Sequence, residues 1–123
     1  MEQAILEHYL CNLKGAKTSY PFGPEVLVYK IMGKMFALIT ENENGCRVNL
    51  KAQPSDVEVL VDEFTAITPG YHMNKRHWIT VQLAGDVPVS IVEGLADKSY
   101  QLVVSKLTKK LQSELELMAH VHK

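Results

Sequence analysis

The chain has 123 residues, 46% of them hydrophobic and 22% charged, which is one domain's worth of chain and enough to bury roughly two thirds of its unfolded surface. Thirteen Lys and Arg against fourteen Asp and Glu give a net charge of −1. That excludes a uniformly basic nucleic-acid coat and an acidic tail, and leaves local patches open. Two cysteines, Cys11 and Cys46, are too few for a disulfide scaffold and lack metal-binding spacing; a single bridge between them is the one alternative to two reduced thiols. With no basic leader after Met1 and no apolar run approaching about 18 residues, the reading is a cytoplasmic protein without a membrane span.

Residues 2–14 predict an amphipathic helix with Ile5, Tyr9, Leu10 and Leu13 on one face, closed by Gly15. The prolines of Tyr20-Pro21-Phe22-Gly23-Pro24 forbid helix, so 18–24 reads as an ordered connector pinned by Tyr20 and Phe22. Three strands follow at 25–31, 34–40 and 46–51, joined by a tight Met32-Gly33 turn and a polar 41–45 turn ending in glycine. Pro54 opens a helix to about residue 64, capped by Gln53 or Ser55, with Val57, Leu60, Val61 and Phe64 as its apolar stripe. Pro69-Gly70 is a turn, 71–73 a short extended piece and 77–83 a clear strand. A short helix near 89–93 stops at Gly94. Asp97 then caps a last helix with the stripe Tyr100, Val103, Val104, Leu107 and Leu111, and the tail from about 113 to 123 is frayed. The order α-β-β-β-α-β-β-α-α predicts a single α+β domain of two layers, an antiparallel sheet with helices on one face.

Strand alternation sorts the candidate functional side chains. In 46–51 the apolar set is Cys46, Val48 and Leu50, and the opposite set is Arg47, Asn49 and Lys51. In 77–83 Ile79, Val81 and Leu83 oppose Trp78, Thr80 and Gln82; in 34–40 Lys34, Phe36 and Leu38 share a side. If helices cover one face, the other presents Arg47, Asn49, Lys51, Trp78, Thr80 and Gln82, with Phe36 as a further candidate. Cations for phosphates and a ring for a base suit single-stranded nucleic acid. The competing reading is a solvated sheet face with Trp78 packed under a loop or at a dimer interface. A second candidate is His72-Met73-Asn74-Lys75-Arg76-His77-Trp78, a basic run in the stretch between Glu63 and Asp86, which holds no acidic residue. As a plain solvated turn it would need fewer cations.

Catalytic signatures are missing. There is no G-x-S-x-G, no phosphate loop and no dinucleotide fingerprint. A Cys46–His77 pair would need a lowered thiol pKa, yet Cys46 falls in an apolar set. His72 and His77 alone make a weak metal site, and neither a metal nor a cofactor is expected.

Several runs resemble the MmcQ/YjbR family of small bacterial proteins: Tyr20-Pro21-Phe22-Gly23, Val28-Tyr29-Lys30 with Gly33-Lys34-Met35-Phe36-Ala37-Leu38, Val48-Asn49-Leu50-Lys51, Pro69-Gly70 through Val81, and Asp97-Lys98-Ser99-Tyr100-Gln101-Leu102-Val103. The resemblance covers roughly residues 15–110 and departs from the family's acidic pair at Asp97-Lys98. It implies a two-layer α/β fold similar to type III secretion chaperone domains, and a DNA-binding role of the double-wing type. The expected function is therefore non-catalytic DNA binding by a monomer or weak homodimer. Lys75 and Arg76 would contact phosphate, Lys51, Arg47 and Lys34 would extend the track, Trp78 would stack or pack beneath it, and His72, Asn74 and His77 would shape the site. The alternative is a protein-interaction or chaperone-like module that holds a partner peptide on its sheet face or on the Tyr20–Pro24 connector. The DNA reading requires the five cations to form one continuous stripe.

Overall fold

Two tight turns set the register of the central sheet. Met32 and Gly33 both take positive φ, 50° and 83°, the mirror-image turn whose twist matches a hairpin. Around it β2 (Val26–Ile31) pairs antiparallel with β3 (Lys34–Asn42), Ile31 opposite Lys34. The second turn puts Asn42 opposite Gly45 and starts β4 (Gly45–Lys51). A computed structural model describes residues 1–70 and 73–118 of the chain, and over these the sheet has six antiparallel strands. Their order is β1 (Ala16–Ser19), β2, β3, β4, β6 (Trp78–Gln82), β5 (Ile67–Pro69). Four helices complete the α+β fold: α1 (Gln3–Cys11), α2 (Pro54–Glu63), α3 (Val89–Ser105) and α4 (Lys109–Leu117).

All four helices contribute to one core on one sheet face. Leu6 and Leu10 of α1, Val57 of α2, Val92, Ala96, Tyr100 and Val103 of α3 and Leu115 of α4 bury against Tyr29, Ile39, Val48, Leu50, Ile79 and Val81. At about 1.5–3 kcal/mol per fully buried large side chain, this layer is the main source of stability. No helix among the described residues is long and apolar enough to cross a membrane.

Several expectations change. Phe36 does not share a side with Leu38. Tyr29 pairs with Ala37 and Lys30 with Met35, so Phe36 is an extra residue in β3, a bulge. The bulge turns Phe36 into the helix-side core, where its ring meets Tyr29 and, edge-on, Tyr100. Leu38 stays on the opposite face in a smaller cluster with Val28 and Trp78. The short helix ending at Gly94 and the helix capped at Asp97 are one 17-residue helix, because the buried stripe Val92, Ala96, Ser99, Tyr100, Val103 runs through both. The tail from 113 is not frayed throughout, since Thr108 accepts from the Leu111 amide and caps α4 as far as Leu117. Residues 18–19 belong to edge strand β1. Tyr20 and Phe22 do not pin their connector; they stand 57% and 62% exposed. The strand beside β6 is Ile67–Pro69; of the expected 71–73 piece, Tyr71 and His72 lie outside the described residues. No side chain caps α2. Cys11 and Cys46 are both free thiols.

Candidate functional site

Antiparallel pairing collects alternate strand ends. The Ile31–Lys34 turn, the end of β4 at Lys51 and the start of β6 at Trp78 lie at one end of the sheet. α2 begins there, three residues after Lys51, and α3 finishes there. The opposite end holds the Asn42–Gly45 turn and the Arg47–Gln82 pair.

Lys51 is the hinge of the first end. Its ammonium lies 5.1 Å from the centroid of the Trp78 ring, a cation–π contact that holds the side chain over the strand ends. Its backbone is held as well. The β3–β4 ladder stops at Ala37–Leu50, which leaves the next carbonyl of β3 and the next amide of β4 without ladder partners. The fully buried Ser99 of α3 supplies both: its hydroxyl donates to the Phe36 carbonyl (2.6 Å) and accepts from the Lys51 amide (2.8 Å). One hydroxyl has the donor and acceptor capacity to fill this gap.

Two clefts meet at Lys51 and Leu102. One, of about 420 Å³, is lined by Lys34, Lys51 and Lys106 over Met35, Trp78, Val103 and Leu107. Among the described residues, three lysines and no carboxylate line it. The other, of about 390 Å³, lies between α2 and α3, with Gln53, Gln101 and Ser105 above an apolar floor of Leu60, Ile79 and Leu95. Its two carboxylates are engaged: Asp56 faces Lys98 at 4.0 Å, and Asp97 accepts the Tyr9 hydroxyl at 2.8 Å. Burial, and then that hydrogen bond, push the Tyr9 hydroxyl up to about 12.

The predicted site residues divide. Lys34, Lys51 and Trp78 come together as described. Lys75 and Arg76 line a separate cleft of about 520 Å³, and Glu58 and Asp62 of α2 line it with them. The stretch that is free of acids in sequence thus meets acids in space. Lys75 donates to the Gly70 carbonyl at 3.3 Å, and the Asn74 carboxamide oxygen accepts from the Arg76 amide at 2.9 Å, closing the turn. His77 is exposed, and its carbonyl accepts from Ala52. Arg47 sits toward the far end of β4, opposite Thr40 and Gln82; four residues at about 3.3 Å each separate it from Lys51. One continuous stripe of the five cations therefore does not form. His72 lies outside the described residues.

The sheet face opposite the helices is not an open platform. Register does place Arg47, Asn49, Lys51, Trp78, Thr80 and Gln82 on it together. Yet Trp78 is 6% exposed, Asn49 7% and Thr80 2%, and the Thr80 hydroxyl donates to the Asn49 side chain at 2.7 Å. A base has no access to the Trp78 face in this arrangement. Nor do Cys46 and His77 form a pair: they stand at opposite ends of β4, and burial, with Glu41 nearby, pushes the Cys46 thiol up. The residues missed in the sequence are Lys98, Leu102 and Lys106, whose i, i+4, i+8 spacing along α3 was the available signal.

This architecture recurs in known proteins. A crystal structure of the Deinococcus radiodurans protein DR2400, described as a DUF419 domain, superposes with a TM-score of 0.83 at 35% identity, covering 96% of this chain and 93% of that one. A Pseudomonas syringae protein superposes with a TM-score of 0.74 at 29% identity, covering 83% and 98%. Among sequence relatives, the uncharacterized protein YbdF of Escherichia coli O157:H7 is 38% identical over 78% of this chain and 79% of its own length. The uncharacterized protein YjbR of Escherichia coli strain K12 is 35% identical over 83% and 86%. The sequence profile of the YjbR family matches residues 11–102, a span that takes in the bulge at Phe36, the Ser99 bridge and Lys51 at the meeting of the two clefts, and the chain belongs to the YjbR family.

Proposed function

We propose that this protein is a non-catalytic binder of nucleic acid, and that it grips the phosphate backbone with the lysine-bearing end of its sheet. The observation that carries this reading is the convergence of Lys34, Lys51 and Lys106 on one cleft with no carboxylate among the described residues of its lining. A chain of net charge −1 gathers local positive potential there, and polyanions respond to the local field. The reading moves the contact away from the sheet face and from Trp78, whose part becomes to support Lys51. Lys75 and Arg76, next to Glu58 and Asp62, act as a flank.

The test is a DNA titration by fluorescence anisotropy at several salt concentrations. Lys34→Ala, Lys51→Ala and Lys106→Ala combined should weaken binding of every sequence alike and flatten the log K against log salt slope by about 2–3, close to one unit for each phosphate left without its lysine. Lys75→Ala with Arg76→Ala should flatten it by less. A triple variant that binds DNA as the parent does overturns the assignment.

A second reading rests on one observation. Tyr20 and Phe22 project from the β1–β2 connector, and exposed aromatic pairs of this kind anchor protein partners. On that reading the chain is a protein-interaction module, its binding is insensitive to salt, and Phe22→Ala abolishes it.

A further inference from the structure

We propose that the strand bound at Lys51 is single-stranded, with a phosphate in one lobe and an unpaired base in the other. This rests on the nucleic-acid reading above and adds which form of nucleic acid the site takes.

The two lobes differ in chemistry. The Lys34–Lys106 lobe is lined by three lysines and, among the described residues, by no competing anion. Point charges on flexible stems hold a phosphate without demanding one fixed geometry. The other lobe offers neutral donors and acceptors, Gln53, Gln101 and Ser105, over an aliphatic floor. That combination holds a planar heterocycle: apolar contact for the ring face and amides for the edge. At about 390 Å³ the lobe is within the usual range for a small-ligand site.

Lys51 and Leu102 line both lobes. A nucleotide whose phosphate meets Lys34, Lys51 and Lys106 can therefore pass Leu102 and set its base against Gln101 and Gln53. The order of groups along the cleft, cationic then amide-rich, follows the order along a nucleotide. In a duplex the hydrogen-bonding edge that this lobe would read is already paired, and the base lies inside a stack. Entry would require extrusion at a cost of a few kcal/mol, with nothing in the lobe shaped to force it. Single strands carry no such cost.

The carboxylates of the second lobe keep their charge and so favour the neutral base over a phosphate there, and each has a partner. Asp56 is opposed by Lys98, and Asp97 accepts from Tyr9. Ser99 joins the lobes mechanically, because its hydroxyl fixes the Lys51 backbone to α3, the helix that carries Gln101 and Leu102 and leads into Lys106.

The experiment uses the chain's single tryptophan, Trp78, whose ring faces Lys51, as an intrinsic fluorophore. The full-length protein is titrated at fixed salt with an eight-nucleotide DNA single strand, the same sequence as a duplex, and a nucleoside 5′-monophosphate. The single strand should change the Trp78 emission and bind at least about tenfold more tightly than either other ligand, the tenfold step that 1.4 kcal/mol represents. Leu102→Glu, which charges the wall between the lobes, and the exposed-site variant Lys106→Glu should each cost at least tenfold. Lys106→Glu keeps the test decisive should Leu102→Glu fold poorly.

Duplex bound as tightly as the single strand, with lysine dependence retained, overturns this inference and leaves the nucleic-acid reading standing. Monophosphate bound as tightly as the oligonucleotide overturns it in favour of a small-molecule site. Binding indifferent to Lys106→Glu overturns the placement, and no binding of any of the three removes both readings.

Discussion

The two ends of this sheet are built from the same strands and have opposite character. At one, Lys34, Lys51 and Lys106 converge on a cleft with an apolar floor. At the other, Glu7, Glu25 and Glu41 line a small cleft of about 180 Å³ with Gln3 and Tyr20. The separation comes from topology: antiparallel pairing sends the Lys34 and Lys51 ends of β3 and β4 one way and the Glu41–Gly45 region the other. Nine residues of β3 at about 3.3 Å each set the distance. A near-neutral chain thereby acquires a polar axis. Net charge constrains partners only weakly when a fold segregates its charges in this way.

Side chains also close the backbone differently at the two ends. Ser99 closes the lysine end with one buried hydroxyl between two strands. Asp86 closes the other, its exposed carboxylate accepting from the Thr65 and Ala66 amides ahead of β5. Ser99→Ala leaves a buried carbonyl and an amide without partners, so urea unfolding should show the largest loss, about 2–6 kcal/mol at roughly 1–3 kcal/mol per orphaned group. A Ser99→Ala protein within about 0.5 kcal/mol of the parent, the range of an inconsequential surface substitution, would mean that the gap between β3 and β4 closes by itself. Asp86→Ala exposes its two amides to water, which replaces the missing acceptor, and about 1 kcal/mol is expected. If Asp86→Ala costs more than Ser99→Ala, the ranking of the two ends is reversed.

How much of this is legible in the sequence depends on whether the determinant is local. The Met32-Gly33 turn is legible because positive φ is written into a glycine. The face shared by Arg47, Asn49, Lys51, Trp78, Thr80 and Gln82 is legible because side chains alternate with period two. The bulge at Phe36 is not, since one inserted residue leaves no compositional mark and reverses the face of what precedes it. Gly94 reads as a stop but lies inside α3, where continuing burial on both sides outweighs its cost of about 1 kcal/mol. β1 is four residues long and pairs with Tyr29 and its neighbours, so its strand character comes from the partner. The candidate site shows the same division. Lys34 and Lys51 can be picked out from their strands, but Lys106 joins them only through the packing of α3, and the acids facing Lys75 and Arg76 come from α2.

Between the two ends α1 is fastened to α3 by Tyr9 and Asp97, a contact whose modest expected effect carries a distinctive pH signature. The Tyr9 hydroxyl is raised from 10.0 to about 12, burial being the larger cause and the Asp97 carboxylate the next. The fold favours the protonated phenol, so the unfolded chain releases this proton first as pH rises. The contribution is therefore whole below pH 10, declines between 10 and about 12, and is gone above that range. Tyr9→Phe removes the donor and keeps the ring, so at neutral pH the parent should be more stable by about 0.5–1.5 kcal/mol, the net worth of one such hydrogen bond. That advantage should shrink across the same alkaline window. Tyr29 and Tyr100, also pushed up by burial, remain in both proteins and cancel in the difference. Paired denaturation curves from about pH 8 through 12 measure it. A gap between parent and Tyr9→Phe that stays constant over that range would show that the Tyr9 proton is not held by the fold.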